Sequence, residues 1–373
     1  MTIFKYIDHF WESIKIRINF TINFKIKIFF KNKLIIVLLL LANFFCGCQI
    51  GYLTKSAYQQ AWILSHRQPI EDVLKSKDLS EDERNKLELV LKARNFAKDD
   101  LKLNVNKSYK TYVKLDKPYV VWAVNASEKW KLEHYIWSYP IVGKLPYKGF
   151  PNEKDAIEEA TSFDSNKYDT HIRGVTAYST LGWFNDPLLS SMMRYSDYSL
   201  VNTIIHESTH ATLFIDDHGD FNERLASFVG NKGAEQFYLK YEGSQSKTLE
   251  MVKSENEDEI IFSKFISKEL KNLEEFYKSN TEKKESLRQE KFQQIKDRFV
   301  TEVKPNLKTK GYLQFEKVNL NNAKLLLYKT YIEDLNVFDR VFILANSSIP
   351  EFIQKMKALE KSKNPIQDLA EIK

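Results

Sequence analysis

Cysteine is nearly absent. The 373-residue chain has two, Cys46 and Cys48, side by side near the N-terminus. A disulfide framework is therefore excluded, and the fold must hold by packing. Glycine (11) and proline (9) are scarce, and no internal repeat or low-complexity linker interrupts the chain. A basic surplus is missing from most of the length. Lys5, Lys15, Arg17, Lys25, Lys27, Lys31 and Lys33, less Asp8 and Glu12, put +5 of the formal +6 into residues 1–47. About +1 is left for the rest, so no nucleic-acid partner is inferred. Long apolar runs are missing too. The one sustained stretch is LIIVLLLLANFF, twelve residues from Leu34 to Phe45. That is short for a bilayer span and right for the apolar part of a signal peptide.

This stretch follows Lys31 and Lys33 and ends in FFCGC. Gly47 before Cys48 resembles the lipobox of bacterial lipoproteins. The resemblance implies cleavage after residue 47, loss of Cys46, and a membrane anchor through lipidated Cys48. It implies a place in the cell envelope, facing the periplasm or the surface. Gln49, standing where Asp would favour retention, points to the outer membrane. The alternative is an uncleaved membrane anchor.

Residues 48–373 are long enough for a sizeable core and read as one α+β domain, predominantly helical. Residues 58–103 carry apolar residues at helical spacing, with breaks at Pro69 and Asp78–Ser80. Residues 109–150 turn aromatic and β-branched, which predicts short strands of a small antiparallel sheet. A helix is expected over 153–163, then a strand ending in a loop at Asn185-Asp186-Pro187. Helices are expected over 197–215 and 221–240. From 246 to 303 the chain is dense in Lys and Glu and breaks at Ser279-Asn280-Thr281, which predicts a long helical hairpin with a solvated charged face. Further amphipathic helices follow between 304 and 373. The expected divisions are 48–245 for the sheet and site, 246–303 for the hairpin and 304–373 for the C-terminal helices.

The chemistry gathers in VNTIIHESTHATLFIDDHGDFNERLASF, Val201 to Phe228. His206 and His210 are four apart, so a helix turns both imidazoles to one point, as Zn²⁺ needs. Glu207 lies about 100° around, beside such an ion and placed to take a proton from an attacking water. Ile204, Ser208, Ala211 and Ile215 form a separate stripe for the core. Glu223 follows His210 by thirteen positions, after the DDHGD loop. Two antiparallel helices would bring it to the histidines, and Ala226 and Gly230 on its side permit close approach. Two His and one Glu leave a fourth zinc position open, the mark of a catalytic site. His218 is a rival ligand, but Leu213 and Asp216 stand where the metzincin pattern needs Gly and His. It reads as a loop residue. His66, His134 and His171 lack ligand spacing and read as structural.

Asn222-Glu223 with Ala226 resembles the NExxA pattern of gluzincin metallopeptidases. The chain more widely resembles a family of bacterial lipoproteins described as zinc aminopeptidases. The blocks that carry the resemblance are GYLTKSAYQQ, RQPI, KPYVVWAVNAS, WSYPIVGKLPYKGF, RGVTAYSTLGWFNDPLLSSMM, HESTH, FNERLASF and NNAKLLLYKTY, from Gly51 to Tyr331. It implies a gluzincin-like catalytic domain, one zinc ion on His206, His210 and Glu223, and Glu207 as the catalytic base. It implies a peptide substrate held along the strand edge of GVTAYSTLGW. Members of this family carry two cysteines where this chain has Ser138 and Lys144.

The resulting expectation is a zinc-dependent peptidase, an aminopeptidase by resemblance, using a zinc-activated water and Glu207. Tyr178 is a candidate to stabilise the oxyanion, as are Tyr328 and Tyr331; each could instead be a packed aromatic. A substrate amino terminus needs an acid, and Glu158, Glu159, Asp186, Asp216 and Asp217 qualify by type alone. Asp186 before Pro187 also reads as a turn former. The alternative function is a non-catalytic lipoprotein that binds or assembles through the charged hairpin.

Overall fold

The computed structural model describes residues 49–139, 143–177 and 185–372. The apolar stretch Leu34–Phe45, the Gly47–Cys48 junction and Tyr178 lie outside the described residues. No described helix is long and apolar enough to cross a membrane. The chain divides into two units, Met1–Ala61 and Trp62–Lys373, and the histidine motif and Glu223 belong to the second.

Capping residues set where the helices begin. α1 spans Gln49–Ser65. The chain then runs through β1 (Gln68–Pro69) and one helical turn, Ile70–Val73. α2 spans Glu81–Asp99. Ser80 Oγ accepts from the Glu83 N–H, and the Glu83 carboxylate accepts from the Ser80 N–H, a reciprocal cap. The expected breaks at Pro69 and Ser80 are where these helices part.

The strands do not join into one antiparallel sheet. β2 (Thr111–Val113) pairs antiparallel with β1 and parallel with β8 (Leu188–Leu189). Tyr112, Val113, Leu188 and Leu189 are all buried in the main core, so burial selects this pairing. A second, wholly antiparallel sheet has β3 (Val121–Glu128) between β6 (Lys148–Phe150) and β7 (Tyr168–Val175). β4 (Trp137–Tyr139) and β5 (Gly143–Leu145) pair by themselves. Ser138 and Lys144 are direct register partners there. The two positions at which the resembling family carries cysteines thus face each other across one ladder.

α3 (Glu153–Thr161) packs on β3 and β7. Helices make up most of the remainder, so the fold is a predominantly helical α+β type with small sheets. α4 (Asp197–Thr212) is capped by Ser196, and α5 is Gly219–Glu242. α6 (Lys247–Ser279) and α7 (Glu285–Arg298) follow, then α8 (Asn322–Ile332), capped by Asn321. α9 (Asp339–Leu344) and α10 (Ile349–Met356) come last among the longer elements.

Two apolar cores result. The first joins α2, α4, α5, α9 and α10, with Leu87, Val90, Leu200, Ile204, Leu225, Phe228 and Phe352 buried. The second joins α6, α7 and α8, with Phe262, Ile266, Leu270, Phe292, Phe299 and Leu326 buried. The charged segment forms the expected pair of helices, broken after Ser279 and exposing most of its charges, but its other face is apolar and buried. Phe262, Ile266, Leu270 and Leu273 recur at helical spacing and hide one face of α6. Its charges also work inside. Asp258 accepts from the backbone N–H of Lys308 and Thr309, and Glu269 takes both arms of Arg298.

Arg288 on α7 is 1% exposed and forks onto Asp169 of β7, which is 7% exposed. Asp169 also accepts from Asn322 N at the start of α8 (2.9 Å). This pair ties α7 and α8 to the sheet. Breaking a buried pair from one side leaves an uncompensated charge, which costs about 3–5 kcal/mol. Arg288→Met is expected to lose stability of that order in urea unfolding. A loss below about 1 kcal/mol would mean the pair does not hold the sheet.

Candidate metal centre

His206 and His210 are one turn apart on α4, and Glu223 comes from the first turns of α5. The structure brings the three together. Nε2 of His206 lies 3.1 Å from Nε2 of His210. Glu223 Oε2 lies 3.3 Å from His206 Nε2 and 3.6 Å from His210 Nε2. A tetrahedral zinc with bonds of about 2.0–2.1 Å holds its donors about 3.3 Å apart. The three separations bracket that edge. Two imidazoles and a carboxylate are also a donor set that suits zinc. Among the described residues this is the one group of three His, Cys, Asp or Glu side chains close enough to share an ion.

Local sequence explains the approach. Gly230 on α5 passes Asn202 on α4 so closely that a Cβ would lie 2.8 Å from Asn202 Oδ1. At Gly233 a Cβ would meet Ile205 Cγ2 at 2.9 Å. Neither position has room for a side chain without displacing α4. Ala226 is fully buried between them and Glu223. The loop is fixed by Asn222. Its Oδ1 accepts from Ile215 N (2.9 Å) and its Nδ2 donates to Ile215 O (2.7 Å). This explains why α4 ends at Thr212, short of the expected 215. Ile215 is still buried, but as part of the stapled loop.

Burial opposes charge at this site, and the contacts outweigh it. Burial would raise Glu223, yet the bonds from His206 and His210 hold its carboxyl far below the usual range. Burial would lower His206, yet Glu223, Glu207 and Glu259 push it up. The Glu223 side chain stays 29% exposed, so the site opens to solvent on that side. His210 Nδ1 is buried with no hydrogen-bond partner, so packing and the Nε2 contacts orient that ring.

Glu207 Oε2 is likewise buried and unpartnered. It lies at a small recess lined by Asn106, Ser108, Tyr109, Asp186 and Ser208. Burial and the Glu207 charge push the Tyr109 phenol well up. Tyr109 has φ 58, a left-handed backbone that costs an aromatic residue energy. Its N–H donates to Asp186 O (2.7 Å), which holds the kink.

The remaining candidates separate. His218 precedes α5 and makes no side-chain cap. His66 stacks on Trp62 at 4.2 Å. His134 Nε2 meets Thr330 Oγ1 at 3.1 Å, and Thr330 donates to Asp220. Tyr328 packs among Phe262 and Phe315. Tyr331, seven residues after Lys324 on α8, is different. Burial pushes its phenol up, and the Glu223 charge adds to this, with Glu207 further off. Thr330 bonded to Asp220, and Arg224 bonded to Glu333 O, lash this end of α8 to the start of α5.

Among the acids, Glu159 is occupied by Trp137 Nε1 (2.9 Å) and Lys148 Nζ (2.8 Å). Glu158, Asp216 and Asp217 are exposed. Asp186 holds its turn through the backbone, with its N–H on Ser108 Oγ. Sequence reasoning passed over Glu259 on α6. Its carboxylate accepts from Asn231 Nδ2 and from Tyr312 OH. Asn231 Oδ1 in turn accepts from Asn202 Nδ2 (2.7 Å), one turn before His206. Burial pushes Glu259 up, and its charge is felt at His206. The available signal was a carboxylate on the same stripe as Phe262 and Ile266.

No curated protein and no solved structure matches the chain. One family model does, described as "Aminopep: Putative aminopeptidase", over residues 51–369. That span contains every residue of the site just described. The chain therefore belongs to the putative aminopeptidase family, and its general activity is that of a peptidase.

Proposed function

We propose that the chain is a zinc-dependent aminopeptidase of the cell envelope, anchored through lipidated Cys48. The observation that carries the zinc reading is the trio of donor separations, 3.1, 3.3 and 3.6 Å, which suits a tetrahedral ion. His206, His210 and Glu223 would hold the ion. When bound, zinc supplies a Lewis acid that polarises a carbonyl and makes water nucleophilic at neutral pH.

The rest falls to side chains. Glu207 accepts the proton of the attacking water and returns it to the leaving amine as the C–N bond breaks. A buried, unpartnered carboxylate oxygen costs energy that a purely structural site has no reason to bear, which favours this role over a binding module. Tyr331 donates a hydrogen bond from its hydroxyl to the oxyanion, supported by the Glu223 and Glu207 charges felt at its phenol. It takes the role for which Tyr178 was a candidate in the sequence. Glu259 receives the substrate's α-ammonium group, supported by its charge at the His206 side of the site.

Turnover of amino acid amides tests these roles. Glu207→Gln is expected to lower kcat by roughly 10²–10⁴-fold. Tyr331→Phe is expected to lower kcat by about 10²–10³-fold with little change in KM. Retention of wild-type kcat in either variant would remove that residue from the mechanism. Glu259→Gln should raise KM for substrates with a free amino terminus and leave N-acetylated peptides unaffected. An equal effect on both would show that Glu259 does not read the amine.

A further inference from the structure

A cluster of three basic groups stands beside this site with no acid to balance it. His171 and Arg173 are two apart on β7, so they share one face of the strand. Asp169 is on that same face and bonds to the N-terminus of α8, so the face meets α8. Asn321, the α8 cap, also donates to Thr170 O (3.0 Å). Lys324 follows in the first turn of α8. Its charge lowers His171, and the Arg173 charge lowers Lys324.

None of the three has a carboxylate partner among the described residues. The Arg173 side chain makes no hydrogen bond or ion pair among the described residues, and its Nε is buried and unsatisfied. Lys324 Nζ lies over the Tyr328 ring at 5.6 Å. Burial first, then Lys324 and Arg173, push His171 down to about 4. His171 is thereby neutral near pH 7, and Arg173 and Lys324 remain as half-buried like charges without a counter-ion, which is costly. Elsewhere in this fold the buried arginines are satisfied: Arg288 pairs with Asp169, Arg224 with Glu333, and Arg94 donates to the backbone carbonyls of Asn106 and Ser108. Arg173 has neither kind of partner. Tyr331 feels both Arg173 and Glu223.

Geometry relates the cluster to the site. Lys324, Tyr328 and Tyr331 are spaced i, i+4 and i+7, so they line one side of α8. Lys324 and Tyr331 are about 10 Å apart along the helix axis. Extended peptide covers about 3.3 Å per residue. A chain with its scissile carbonyl at Tyr331 would bring its end to the cluster two or three residues later.

We infer that His171, Arg173 and Lys324 form a subsite for the free C-terminal carboxylate of the substrate, which makes short peptides the preferred class. Arg173 offers a planar fork that fits a carboxylate with two parallel bonds, and Lys324 adds a point charge. The identity of the ligand as a peptide rests on the peptidase reading; the anion site itself does not.

Calorimetry on the full, zinc-supplemented chain carrying Glu207→Gln tests this without turnover. The ligands are tri-alanine, tri-alanine amide, and Ala-Ala-Glu amide. Tri-alanine should bind roughly ten- to a hundredfold more tightly than its amide, as charge-assisted bonds provide. Arg173→Gln should abolish that difference while leaving the amide's affinity unchanged, which also shows that the variant folds. Arg173→Lys should restore part of it. Equal binding of acid and amide, no binding of either, or a difference that survives Arg173→Gln would overturn the subsite. Tighter binding of Ala-Ala-Glu amide than of tri-alanine would also overturn it, since the subsite would then read an acidic side chain. Carboxylate preference in binding, with no hydrolysis of any of these peptides by the chain with Glu207 intact, would instead sink the peptidase reading and leave the subsite standing.

Discussion

The distance between α4 and α5 decides whether a carboxylate on one helix can reach two imidazoles on the other. Contact between the glycine backbone of α5 and side chains of α4 sets that distance. Gly230 and Gly233 let α5 press against Asn202 and Ile205. Asn222 fixes the loop from the other end by holding both backbone polar groups of Ile215. Between these clamps Glu223 has no freedom to withdraw from His206 and His210. Helix pairs with larger side chains at such positions keep their axes about 8–10 Å apart, and the triangle of donors would open.

The second constraint is polar. A ladder of Tyr198, Asn202, Asn231 and Glu259 runs from α4 across α5 to α6. It joins the first apolar core to the second without a gap in hydrogen bonding. His206 lies one turn beyond Asn202 of this ladder, and the Glu259 charge is felt at His206. Buried polar networks are stable only when their members are satisfied. Most members here are. Among the buried polar atoms left without a partner are Glu207 Oε2, His210 Nδ1 and Arg173 Nε.

Local rules made part of this legible. The i, i+4 spacing of His206 and His210 fixes their common face in any helix, and Glu223 after a short acidic loop suggests a helix that folds back. The breaks at Pro69 and Ser80 are likewise local chemistry. Glu259 and Arg173 were not legible, because their neighbours come from other elements, and sequence named Tyr331 only alongside Tyr178 and Tyr328. Tyr331 gains its place from α8 being lashed to α5, 108 residues after Glu223. Glu259 was hidden in a run of Lys and Glu that looked solvated, although its spacing to Phe262 put it on the apolar stripe. His171 read as a lone histidine because its partners, Arg173 and Lys324, carry charge of the same sign and do not resemble a ligand set. The expected sheet is three small ones, and the first of them pairs β2 with β8, far apart in the chain, because both lie in the first core.

The central claim is that one zinc ion binds where α4 and α5 meet. Its most direct test is the metal content of the purified full chain, by elemental analysis after zinc supplementation and removal of free ion, in the wild type and in Glu223→Ala. The account predicts about one zinc per chain in the wild type and its loss in the folded Glu223→Ala variant. A folded wild type that retains no zinc, or a Glu223→Ala variant that holds it as tightly, would contradict the account.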